Sequence, residues 1–435
     1  MTPTILFAAA TATPHPAMIL PFALMLGAIA VMPFIHLHWW ERNYPKVALG
    51  LGAITVLYYV FVLNNAGRML HAAHEYASFM ALIGSLFVVA GGIHIDVQGE
   101  SRPRANCLFL FIGALLANVI GTTGASMLLI RPWIRMNKYR ITGFHIVLFI
   151  FIVSNAGGCL TPIGDPPLFL GYLKGVPFWW VLQKCWSAWA IMVAGLIGTF
   201  FVLDRQNFLR APRGVREKET QETSWKVEGW RNVVFLLVIL AAVFIKKPTG
   251  LSEALMIAAA AGSWYATPRR LRLANKFDFH PIREVAWLFL GIFATMVPAL
   301  DYLEVNTGRL GLDSEIKFFW LTGVLSGALD NAPTYLTCLA AAMARRGFSI
   351  SNPEDTGLFV AAHDHDLIAI SLGAVFFGAM SYIGNAPNFM VKSIAEQSKV
   401  KAPDFFAYIL RYAFPILLPL LFLIAILFFS RWRLF

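Results

Sequence analysis

Apolar runs close to the ~20 residues needed to cross a bilayer follow one another along the chain: Ala17 to Ile35, Val47 to Leu63, Ala77 to Ile95, Trp186 to Leu203, Val233 to Ile245 and Ala413 to Phe429. The polar interruptions between them come in a repeated order. Ile163-Gly164-Asp165-Pro166-Pro167-Leu168-Phe169-Leu170 and Ile383-Gly384-Asn385-Ala386-Pro387-Asn388-Phe389-Met390 look like copies of each other, about 220 residues apart, and each breaks an apolar helix. Upstream of each lies a second interruption, Ala117-Asn118-Val119-Ile120-Gly121-Thr122-Thr123-Gly124 in the first half and Asp330-Asn331-Ala332-Pro333-Thr334-Tyr335 in the second. In hydrocarbon, a broken helix is tolerated only where its freed backbone groups face protein or a water-filled cavity. Broken helices that repeat in corresponding places point to the midplane site of a secondary transporter.

This pattern predicts an all-α integral membrane protein with about ten transmembrane helices, two re-entrant hairpins and two broken helices in an inverted repeat. Each half then holds three spanning helices, a hairpin, a broken helix and a final helix. It crosses the membrane an odd number of times and so inverts the next half. The predicted halves are 1–204 and 231–435, joined by a mixed-charge cytoplasmic linker at 205–230.

Composition agrees with that class: 58% of the 435 residues are hydrophobic and 14% charged, with a mean hydropathy of +0.65, too apolar for an ordinary soluble domain. The net charge of +11 is read as the Lys/Arg bias of cytoplasmic loops, not as a nucleic-acid surface. Under the odd-crossing topology only 11 of the 35 basic residues fall on one side. The other side is then the cytoplasm, both termini lie outside, and the membrane is the cytoplasmic (inner) one. The first hairpin, about Asn106 to Arg131, enters from the cytoplasm, and the second, about Phe318 to Arg345, from outside. Trp39, Trp40, Trp179, Trp180, Trp230 and Trp432 fall at expected membrane boundaries. Leu6 to Ala12 has the look of a short signal segment, but the N-terminus lacks a basic n-region and reads as a short external stretch. Cys107, Cys159, Cys185 and Cys338 have no metal-ligand spacing and read as packing thiols.

Asp165 is the sharpest candidate, because an acid at membrane depth is costly and marks an ion or proton path. Capping of the next half-helix is its competing role. Asp330 makes a similar case at the second hairpin tip, where an N-cap ahead of Pro333 competes more strongly. Around them Asn118, Thr122, Thr123, Ser126, Ser154, Asn155, Thr161, Gly164, Asn331, Thr334, Asn385 and Asn388 offer oxygens or amides suited to Na+ or to a carboxylate. Each alone is as easily helix-helix glue; the duplication is what singles them out. A Na+ site is expected from Asp165, Asn118 and Asn331, with Asp165 and Asp330 as proton-coupling groups. By the repeat, Asp165 corresponds to Asn385, so of the two breaks the first carries the titratable group. His363-Asp364-His365-Asp366 reads as a polar helix start, and His145 as a packing histidine before a proton relay. His71 and His74 are placed in an outer loop without a nearby acidic ligand pair. No nucleotide-binding or nucleophile motif is present, so neither ATP-driven transport nor an enzyme is expected, and no cofactor beyond coupling ions.

Thr161-Pro162-Ile163-Gly164-Asp165 resembles the motif of NhaD-type sodium/proton antiporters, and Leu329-Asp330-Asn331-Ala332-Pro333 is similar to their second hairpin. Asn385-Ala386-Pro387-Asn388 is closer to the Pro-Pro-Asn segment of carboxylate carriers. The order of elements over the whole chain thus resembles the ion transporter superfamily, which includes those antiporters and citrate and arsenite (CitMHS-like) permeases. The resemblance implies a scaffold domain that often makes a homodimer, a transport domain carrying both hairpins and both breaks, and elevator motion. The expected function is Na+/H+ antiport, with Na+- or H+-coupled transport of citrate or another anion as the alternative. The partners expected are the lipid bilayer and small inorganic cations or a small anion.

Overall fold

The structure, a computed structural model, describes residues 14–98, 102–210, 224–245, 247–306 and 312–430. The segment Leu6 to Ala12 and Trp432 lie outside the described residues. The fold is all-α. Eight helices among the described residues are long and apolar enough to cross a membrane, or nine if one bent pair forms a single span. Large apolar side chains such as Leu24, Ile54, Leu237 and Ile257 are exposed on the outside of the bundle, the surface that hydrocarbon covers in a membrane protein.

The first half opens with α1 (Leu20–Ile35), α2 (Leu37–Leu57) and α3 (Ala66–Gly91). A short strand β1 (His94–Gln98) leads into α4 (Pro103–Met136), which is a hairpin of two helical arms. The turn is at Gly121, whose φ of 76° and ψ of 155° are open to glycine and strained for other residues. The arms return on each other, so that Asn106 Nδ2 donates to Asn137 Oδ1 at 2.7 Å and Phe109 stacks on Trp133. Next come α5 (Gly143–Ile152), an irregular stretch, α6 (Pro166–Leu173) and α7 (Trp180–Arg210).

The second half repeats this order. It comprises α8 (Asn232–Ala242), α9 (Leu251–Ala266), the short α10 (Arg269–Ala274) and α11 (His280–Asn306). The second hairpin has arms α12 (Glu315–Ala328) and α13 (Asn331–Arg345), separated by Leu329 and Asp330. Then follow α14 (Pro353–Ala362), α15 (Asp364–Phe377), a second irregular stretch and α16 (Ala386–Gln397). The last span runs through α17 (Phe405–Tyr408) and a π-helical stretch into α18 (Leu418–Phe429).

Packing crosses between the halves. α3 lies on α8 and α9 while its counterpart α11 lies on α1 and α2. The first hairpin packs on α16 and the second on α6, so each hairpin meets the half-helix of the other half. The broken helices form the centre: every residue from His145 to Val153 is shielded, as is the run Leu367 to Phe377.

Several expectations are corrected. Residues 205–210, expected in the linker, belong to α7, and Asp204 just before them is buried, with Arg140, His145 and Asn106 around its carboxylate. Ser224–Glu228 forms a strand, β2, paired antiparallel with β1; residues 211–223 of that expected linker lie outside the described residues. His71 and His74 sit inside α3, not in a loop, with His71 Nε2 3.2 Å from Glu75 and His74 4.0 Å from Glu253. Of the boundary tryptophans, Trp40 and Trp180 are buried, Trp40 against Tyr44, while Trp39, Trp179 and Trp230 are exposed.

Candidate functional site

Both breaks are built on the same backbone plan. In the first, Gly158 and Gly164 touch so closely that a Cβ on Gly164 would lie 2.1 Å from the Gly158 carbonyl oxygen; in the second, a Cβ on Gly384 would lie 2.6 Å from that of Gly378. Each close approach turns the chain and leaves a glycine carbonyl free to bind a hairpin tip. Thr122 N–H donates to Gly164 O at 2.8 Å, and Asn331 N–H donates to Gly384 O at 3.1 Å. A hydroxyl supports each turn, Thr161 Oγ1 accepting from Gly164 N–H at 3.1 Å and Ser381 Oγ from Gly384 N–H at 3.2 Å.

Directly after the first turn, Pro166 at the first helical position starts α6 and sets Asp165 at its N-terminus. The Asp165 carboxylate does not cap that helix. It is buried and takes three side-chain donors: Thr122 Oγ1 at 2.9 Å and Asn385 Nδ2 at 2.8 Å on Oδ1, and Asn331 Nδ2 at 2.8 Å on Oδ2. One donor comes from each hairpin tip and one from the opposite break. Because both amides point their NH2 groups at the carboxylate, Asn331 Oδ1 and Asn385 Oδ1 are left buried and without a hydrogen-bond partner among the described residues. Two orphaned amide oxygens beside a carboxylate form a hard, oxygen-rich set suited to Na+. Turning either amide over would let its oxygen accept from the Asp165 carboxyl group once it is protonated.

The remaining candidates surround this cluster. Asn385 Nδ2 also reaches Ser154 O at 3.1 Å and Asn155 Oδ1 at 3.3 Å, and Asn155 Nδ2 donates to Asn388 Oδ1 at 2.7 Å. Asn388 Nδ2 in turn donates to Gly378 O and Ser381 O, both at 2.8 Å, closing a chain of amides across the two breaks. Ser154 Oγ pairs with Ser126 Oγ at 2.7 Å.

Four candidates have other duties. Asn118 donates to Ala114 O and Gly157 O, and its own Oδ1 accepts from Leu160 N–H at 2.8 Å. Both ends of that amide are engaged by backbone, so Asn118, with Thr161 Oγ1 donating to its carbonyl at 2.6 Å, clamps the first hairpin to the first break. Asp330 Oδ1 caps α13 through Ala332 N–H at 3.0 Å, and Thr334 Oγ1 donates to the Asp330 carbonyl at 2.9 Å. Ser381 was not singled out in the sequence, although its place matches that of Thr161.

A narrow cleft of about 20 Å³ reaches this site, lined by Leu82, Ile83, Leu86 and Phe87 of α3, by Ile120 to Gly124 of the first hairpin tip, including Thr123, and by Pro162 to Pro166 with Phe169. That is room on the scale of one water or one bare ion. It lies toward the C-terminal end of α3, the side on which the first hairpin is rooted.

A polytopic membrane protein whose two inverted breaks and two hairpin tips converge on one buried carboxylate is a secondary transporter in its architecture. Residues 11–429 match the family described as "Putative citrate transport" (CitMHS_2), and the chain belongs to that family. No curated protein matches the chain.

Proposed function

We propose that the protein is a cation-coupled carrier of citrate-class carboxylates in which Asp165 binds the coupling ion, Na+ or H+. The observation that carries this reading is the Asp165 carboxylate flanked by the unpartnered oxygens of Asn331 and Asn385. One carboxylate shared by Na+ and H+ couples an ion gradient to the movement of the domain that holds it. The anion would be met at the start of α16, where the Ala386 N–H and the helix dipole favour negative charge; Pro166 and Pro167 leave the start of α6 with its dipole but no N–H groups to offer. In this reading the broken helices and hairpins move as a unit, the membrane is the cytoplasmic one and both termini lie outside the cytoplasm.

A second reading, Na+/H+ antiport without an organic anion, is favoured by the cleft volume of about 20 Å³ and by the absence of Lys and Arg from its lining. Reconstitution in proteoliposomes separates the two. The first reading predicts saturable citrate uptake driven by a Na+ or proton gradient and lost in Asp165→Asn. Dequenching of a pH indicator on adding NaCl, with no citrate uptake, would replace it with antiport. Neither flux would overturn both.

A further inference from the structure

The helix that begins at Asp165 ends at Lys174, and Lys174 is held by a charge on another helix. α6 runs alongside α3 in the opposite direction. Phe169 faces Phe79 with ring centroids 6.4 Å apart, and the cleft beside Asp165 is lined by Leu82 and Leu86. At the far end, Lys174 Nζ donates to both oxygens of Glu75, at 2.7 and 2.9 Å, with the two side chains only 3% and 7% exposed. Glu75, Ser78, Phe79, Leu82 and Leu86 recur every three or four residues and so share one face of α3. That face is polar toward the N-terminal end of α3 and apolar where it lines the cleft.

We propose that Glu75 and Lys174 are a positioning pair for the transport step: they hold the Asp165-bearing helix at its present level on α3, and they must separate for Asp165 to face the other side. The inference rests on the carrier reading above. Its physical basis is that both charges are buried and that Lys174 Nζ binds both oxygens of Glu75. One helical turn along α3, about 5.4 Å, Lys174 would meet His71, which already stands 3.2 Å from Glu75. The nearby carboxylate of Asp301 is engaged by Arg68 at 2.8 Å and by Tyr59 Oη at 2.8 Å. Sliding therefore breaks the pair without offering Lys174 an unengaged replacement. Removing one partner leaves an uncompensated buried charge, which disfavours the present conformation relative to one that hydrates it.

The test uses the full-length protein in proteoliposomes, with Cys107→Ser to remove the half-exposed native thiol and Ile83→Cys as a reporter in the cleft. A membrane-impermeant maleimide is applied from the face on which the first hairpin is rooted. Glu75→Gln and Lys174→Gln are each expected to slow labelling by at least about threefold, a modest population shift, and the exchange Glu75→Lys/Lys174→Glu to restore it to within about twofold. Should a single variant fail to fold, Glu75→Gln/Lys174→Gln, which buries no charge, is expected to fold and still to label more slowly than the parent. Labelling of folded protein that is unchanged in the neutral variants, or slowed and not restored by the exchange, would overturn the proposal. Labelling needs neither citrate nor Na+, so an absence of citrate uptake with the expected labelling rejects the substrate reading and not the positioning pair.

Discussion

The first and second breaks have one backbone and two chemistries. Each has a pair of touching glycines, a hydroxyl under the turn and a carbonyl given to a hairpin tip, yet Asp165 in the first stands where Asn385 stands in the second. The roots of the two hairpins differ as well. At the first, Asp204 is fully buried and receives Arg140, His145 Nε2 at 3.1 Å and Asn106 Nδ2 at 2.9 Å, while Asn106 also ties to Asn137 on the returning arm. At the second, the ion pair is Arg346 with Asp366 at 3.3 Å, and its arginine is 37% exposed. Repetition preserved the backbone geometry that creates the site. The charge at the breaks and the fully buried ion pair at the hairpin roots are both in the first half.

The largest expected effect tests that ion pair. Asp204→Ala removes a fully buried carboxylate that Arg140, His145 and Asn106 share and should cost about 3–5 kcal/mol, whereas Asp366→Ala returns Arg346 to solvent and should cost less than about 1 kcal/mol. Thermal melting of the purified protein in detergent compares them, and similar losses would erase the difference between the roots. Next is the position of the charge. Asp165→Asn should lower coupled flux about a hundredfold, the worth of a strong charge-assisted contact. Asp165→Asn/Asn385→Asp should regain a part of it if the two breaks are interchangeable as cation seats; no gain in reconstituted vesicles would mean that the surroundings, not the carboxylate alone, are asymmetric. Gly164→Ala and Gly384→Ala should each cost about 1–3 kcal/mol through forced backbone displacement, the first more than the second given 2.1 against 2.6 Å. Equal melting points would show that both turns relax alike. Smallest are Thr161→Ala and Ser381→Ala, at about 1 kcal/mol each for the lost hydrogen bonds, to be seen as small, matching falls in melting temperature.

The breaks and tips were legible in the sequence because Gly, Pro, Asp and Asn interrupt apolar runs in which nothing else explains them. The partnership between Asp165 and Asn331 was only partly so. Their separation of 166 residues gives no local periodicity, and the repeat suggested a shared neighbourhood without indicating which amide would point where. Asn118 looked like a ligand because an Asn deep in an apolar helix has no partner in the sequence; in the fold, the unwound carbonyl of Gly157 is that partner. His71, His74 and residues 205–210 were misplaced for one reason. Hydropathy assigns charges near the ends of apolar runs to loops, while α3 begins at Ala66, well before the apolar run, and α7 continues to Arg210.

The crossing of the hydrogen bonds has a consequence for biogenesis. Asp165 enters the membrane with the first half, but Asn331 and Asn385 are made 166 and 220 residues later, roughly 10–40 s at ordinary rates of synthesis. For that interval the first half holds its acid with Thr122 alone of the three donors, so a nascent first half must keep the carboxylate hydrated or protonated until the second arrives to finish the site.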